Sequence, residues 1–64
     1  MSFSEALKAM TMGNYVSREI WRGKVSSWHL AEGKLYALYP NGLLQQIHSM
    51  IIDDILAEDW WVVT

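Results

Sequence analysis

The sequence predicts an α+β fold: an N-terminal helix packed on a small antiparallel sheet, with a short second helical turn before a C-terminal strand. Three observations carry this. A helix-start signature opens the chain, a run of period two lies on each side of Glu32-Gly33, and the end "WWVV" is aromatic and β-branched.

Ser2 and Glu5 have the spacing of a capping box, in which hydroxyl and carboxylate satisfy the free amides of a helix start. Phe3, Leu7 and Met10 then recur at i, i+4 and i+7 as one apolar stripe, with Glu5 and Lys8 off it. Gly13 suits a left-handed cap. "YVSR" reads as a brief extended run, and "EIWRGK" as a turn carrying Trp21 on an exposed bend.

Over residues 25–31, Ser26, Trp28 and Leu30 share one face, and Val25, Ser27, His29 and Ala31 the other. Glu32-Gly33 supplies a tight turn, and "KLYALY" pairs back with Leu35, Ala37 and Tyr39 opposed to Tyr36 and Leu38. Pro40-Asn41-Gly42 is a turn signal, so "GLLQQI" returns as a further strand. "HSMIIDD" is ambiguous between helix and strand. Asp53 caps a single turn over "DILAED", and residues 60–63 form the last strand. Residues 1–64 read as a single domain.

A chain of 64 residues buries only about 60% of its unfolded surface, and with no cysteine it lacks disulfides and thiolate metal sites as staples. Four tryptophans and three tyrosines point to aromatic packing and self-association instead. Five basic and seven acidic residues give a net charge of -2, without the cationic field that a polynucleotide backbone demands. No apolar run reaches membrane-span length, and Glu5 stands where a signal peptide would be basic, so a cytosolic protein is expected.

His29, His48, Asp53 and Asp54 are possible metal ligands, but their spacing fits no closed motif, and neither a metal nor a cofactor is expected. Asp54, Glu58 and Asp59 sit in no recognisable catalytic setting and serve equally as helix-terminus or solvated acids. Arg18, Trp21, Arg22 and Lys24 place three cations and an indole within seven positions, where a phosphate could be gripped and a base stacked. The residues leave a second reading open, with Trp21 plugging the core and the cations solvating a turn. Trp28 and Tyr36 are placed to stack across the hairpin, as core or subunit contact. Met10, Met12 and Met50 read as gap-filling packing.

"FSEALKAMTMGNYVSREIWRGK" and "DDILAEDWWVV" together resemble the Thoeris anti-defence 2 family of small phage proteins. The matching positions are Phe3, Ala6, Leu7, Gly13, Val16, Arg18, Trp21, Gly23 and Lys24, then Asp54, Leu56, Ala57, Asp59 and Trp60, about half the chain. Arg22 stands where the family usually has asparagine, and the middle is shorter than in typical members.

The resemblance implies a non-enzymatic phage sponge, acting in the cytoplasm of the infected bacterial host. Such a protein binds a cyclic ADP-ribose-type or cyclic oligonucleotide immune messenger and sequesters it intact. It also implies a homo-oligomer, tetramer or dimer, with pockets between subunits. Phe3, Arg18, Trp21, Arg22, Lys24, Tyr36, Asp54 and Asp59 are the expected ligand-binding residues. Asp54 and Asp59 would accept hydrogen bonds from backbone amides or ribose hydroxyls, with Trp60 facing the core and Trp61 facing a partner or ligand. An anti-CRISPR protein has been assigned to the same family, so a direct protein inhibitor of a host defence complex is the alternative.

Overall fold

The computed structural model describes residues 1–63. Helix α1 (Phe3–Thr11) begins at the capping box: the Ser2 hydroxyl accepts from the Glu5 N–H at 3.2 Å and Glu5 Oε1 accepts from the Ser2 N–H at 2.9 Å. That backbone bond from Ser2 is the main reason the Glu5 carboxyl is held below its usual range. The helix ends in a Schellman motif, the Gly13 N–H donating to the Met10 carbonyl and the Asn14 N–H to that of Ala9. Gly13 sits at φ +90°, and a Cβ there would meet no atom within 4 Å, so glycine is needed for its dihedral alone.

The buried face of α1 is not the expected one. Ala6 and Met10 are buried and Phe3 is half-buried, whereas Leu7 is exposed. The stripe is therefore 3-6-10, with small Ala6 fully buried in the cluster that holds Val16 and Trp60. Met12 is 74% exposed and fills no gap, because it caps the helix end beyond the sheet, while Met10 and Met50 do pack as expected.

Five strands follow: β1 (Tyr15–Arg18), β2 (Ser27–Ala31), β3 (Lys34–Leu38), β4 (Leu44–Gln46) and β5 (Trp60–Val63). They form one antiparallel sheet in the order β4-β3-β2-β1-β5. The β2–β3 hairpin has the expected register, Trp28 opposite Ala37 and His29 opposite Tyr36. Its turn puts Glu32 and Gly33 at φ 53° and 76°, the pair of positive angles that matches strand twist in two-residue hairpins. At 40–42 the Gly42 N–H donates to the Tyr39 carbonyl, returning the chain into β4.

Helix α2 (Ile52–Leu56) resolves the ambiguity at 48–54. Its N-cap is Ile51, without a side-chain cap, and Asp53 lies inside the first turn rather than capping it. Asp54 is held by Arg18, and the Asp54 carbonyl accepts from the Trp60 indole N–H at 2.9 Å, so tertiary bonds set where the helix starts. From α2 the chain crosses to the far edge of the sheet as β5, beside β1.

The core comprises Ala6, Met10, Val16, Trp28, Ala37 and Trp60, two of the six being alanine. Trp60, 2% exposed, is its centre: the rings of Phe3, Trp21 and Trp28 lie 5.4, 5.3 and 5.2 Å from it. Offset and edge contacts at such distances are the favoured aromatic geometries. Trp21 is half-buried and packs against this core, so it does not stand on an exposed bend. It packs on Trp28 at 5.1 Å as well. Tyr36 cannot stack on Trp28, because the two point to opposite faces of the hairpin.

Candidate functional site

A cleft of about 550 Å³ opens at the end of the sheet where β1 leaves, β2 enters and β5 begins. Arg18, Glu19, Arg22, Ser26, Asp59 and Trp61 are among its walls. Three local features build it. A 3-10 turn, Glu19–Trp21, follows β1 and lays the half-buried Trp21 against the core rings. Arg22 then adopts the left-handed conformation at φ 50° and Gly23 continues it at 84°, so the chain doubles back with Arg22 exposed. Alternation along β5 buries Trp60 and leaves Trp61 48% exposed, as expected for this pair.

Arg18 closes the floor. Its Nε donates to Asp59 Oδ1 at 2.8 Å and its Nη1 to Asp54 Oδ1 at 2.7 Å. Burial opposes the guanidinium charge, but the bonds to Asp59 and Asp54 outweigh it and hold the Arg18 pKa above its ordinary value. The Arg18 bond in turn depresses the Asp59 carboxyl, assisted by the Ile20 N–H, which donates to Asp59 Oδ2 at 3.0 Å. The triad is a strut joining β1, α2 and the entry to β5.

Of the eight expected ligand-binding residues, Arg18, Arg22 and Asp59 come together at the cleft. Arg22 is the exposed cation among them; the guanidinium of Arg18 already faces two carboxylates. Asp54 is buried beneath Arg18, and Phe3 and Trp21 belong to the ring cluster around Trp60. Lys24 is exposed on the turn outside the cleft walls, and Tyr36 lies on the outer sheet face beside His29. Glu19, Ser26 and Glu58 also line the cleft. No motif marks them, since strand order rather than spacing brings 17–26 next to 58–61.

Among the described residues no group of three or more His, Cys, Asp or Glu side chains is placed to hold a metal ion, and no helix is long and apolar enough to cross a membrane. Comparison with protein-family models, with curated proteins and with solved structures finds no match for this chain.

Proposed function

We propose that the protein is a non-catalytic sponge of the Thoeris anti-defence 2 type. It holds a cyclic ADP-ribose-type or cyclic oligonucleotide messenger intact in this cleft, as a homo-oligomer in the cytoplasm of an infected bacterium. The observation that carries the reading is the pairing of an exposed Arg22 with an exposed Trp61 on one cleft. A guanidinium takes a diphosphate in a two-pronged grip, and an indole face takes a base. The wall also carries Glu19, Glu58 and Asp59. Carboxylates accept from hydroxyls, so this mixed lining favours a ribose-bearing nucleotide over a bare polyanion.

Sequestration works by mass action, and a nanomolar dissociation constant, about -12 kcal/mol, would hold free messenger below an effector's threshold. Calorimetric titration with cyclic ADP-ribose and its isomers tests this. Saturable binding that weakens at least about 100-fold in Arg22→Gln supports the reading, given the strength of charge-assisted bonds to phosphate. Equal binding by the variant would remove the site.

A second reading is favoured by one feature. Ile51, Ile52, Ile55 and Leu56 form an exposed apolar stripe on and beside α2, with Leu56 71% exposed. A direct protein inhibitor would dock such a surface on a host defence complex. Capture of that complex by wild type but not by Leu56→Lys, without nucleotide, separates the two.

A further inference from the structure

We propose that Asp59 is a positioning residue for the cleft: it caps the Glu19–Trp21 turn from a distant part of the chain and so presets the left-handed backbone that keeps Arg22 on the cleft wall. The inference rests on the anion-binding role given to Arg22 above, and it assigns to Asp59 an action through Arg22 rather than on the ligand.

The turn opens without a cap of its own. Its N-cap residue is Arg18, whose side chain makes no cap hydrogen bond. A guanidinium only donates, and this one donates to Asp54 and Asp59. The first amides of a helical turn have no partner inside it. Two of them here go to Asp59: the Ile20 N–H donates to Asp59 Oδ2 at 3.0 Å, and the Glu19 N–H to the Asp59 carbonyl at 3.2 Å. A residue 39 positions from Ile20 thus supplies the acceptor that Ser, Thr, Asn or Asp normally supplies at the N-cap itself. Arg18 holds Oδ1 through Nε at 2.8 Å, which leaves Oδ2 for Ile20.

What this cap holds in place is strained. The turn closes with the Arg22 N–H donating to the Glu19 carbonyl at 3.1 Å, and Arg22 then stands at φ 50°. Asn and Asp enter that region more readily, because a short polar side chain can hydrogen-bond locally, and arginine has none. Gly23 continues at φ 84°, and the Lys24 N–H returns to the Trp21 carbonyl at 2.9 Å. Such a backbone persists only where its surroundings overdetermine it. On one side those surroundings are Asp59, and on the other Trp21, packed on the rings of Trp28 and Trp60. Ordering of the turn is thereby completed on folding, so binding need not supply it.

Both carboxylate oxygens of Asp59 are engaged by the protein, although the residue lines the cleft. Glu19, Ile20, Arg22 and Asp59 also line an adjoining hollow of about 390 Å³, so cap and cation share one wall. Glu19 and Glu58 are then the cleft carboxylates left to meet ligand hydroxyls.

Amide hydrogen exchange of the full chain without ligand, read residue by residue by NMR, tests the inference together with calorimetric titration of cyclic ADP-ribose. In Asp59→Ala the Ile20 and Arg22 amides are expected to lose at least about 10-fold more protection than those of the β2–β3 hairpin, as the loss of a bond to a charged acceptor implies. A merely structural role would lower protection equally in both places. Asp59→Ala is also expected to weaken nucleotide binding at least about 10-fold, but by less than about 2-fold when Arg22→Gln is already present. Should Asp59→Ala prove unfolded by circular dichroism, Asp59→Asn is read in its place. Its single carboxamide oxygen goes to the charge-assisted donor Arg18, and the Ile20 N–H is left facing an NH2 group.

Unchanged exchange at the turn, an equal loss at turn and hairpin, or an Asp59 effect that adds in full to that of Arg22→Gln overturns the proposal. A wild type that binds no nucleotide, with the local loss present, sinks the sponge reading and leaves the capped turn standing. A wild type that binds nucleotide, with exchange at the turn unchanged in the variant, sinks only this inference.

Discussion

Arg18 and Asp54 are 36 positions apart, yet the guanidinium Nη1 donates to the carboxylate Oδ1 over 2.7 Å, with both side chains largely shielded from water. Removing the cation leaves Asp54 buried without its counter-charge. Arg18→Met is expected to cost about 3 kcal/mol in urea unfolding, because an uncompensated buried charge is worse than no pair. Arg18→Met/Asp54→Asn should recover part of that loss. A double variant as unstable as the sum of the singles would show the pair to be uncoupled.

Acid should weaken the same strut. Asp59 has its carboxyl pKa depressed by Arg18, so its contribution is present above the unfolded value, about 3.9, and is lost as pH falls through the lower folded value. Stability is therefore expected to be flat near neutrality in this respect and to drop below about pH 4. Asp59→Asn, less stable at pH 7, should show a shallower acid limb. An unchanged slope would mean Asp59 is not linked to folding.

The paired tryptophans should separate by function. Trp60→Ala empties the centre of the ring cluster and is expected to cost about 3–5 kcal/mol. A 64-residue domain has only about 3–10 kcal/mol in all, so this variant is expected to be largely unfolded by near-ultraviolet circular dichroism. Trp61→Ala is expected to change monomer stability by less than about 1 kcal/mol and to abolish messenger binding.

Gly13→Ala should cost about 1 kcal/mol, read as a lower melting temperature, since no space is lost but φ +90° is strained for any residue with a Cβ.

The sequence made some of these relationships visible and hid others, and the division follows distance along the chain. The capping box, the Gly13 terminus, the 32–33 hairpin and the alternation of Trp60 and Trp61 each depend on residues a few positions apart, where spacing dictates the hydrogen bonds. The core face of α1 is not legible in the sequence because Leu7 outweighs Ala6 in hydrophobicity, whereas the fold buries Ala6 in the core cluster and leaves Leu7 exposed. Asp53 looked like a cap because local chemistry favours it, but Arg18 and the Trp60 indole, both distant in sequence, fix α2. The cation cluster dispersed for the same reason. Placing β5 beside β1 brings Asp59 to Arg18 and Trp60 to Trp21, so one cation becomes structural and the indole packs against the core. Arg22, left-handed at φ 50°, stays exposed on the cleft wall.

The most direct test of the sponge is recovery of the messenger. Protein incubated with cyclic ADP-ribose, freed of unbound nucleotide, is denatured by heat and the supernatant separated by chromatography. Unaltered nucleotide, in stoichiometric amount from wild type and near none from Arg22→Gln, is the predicted result. Absence of any retained nucleotide, or release of an opened or hydrolysed product, would contradict it.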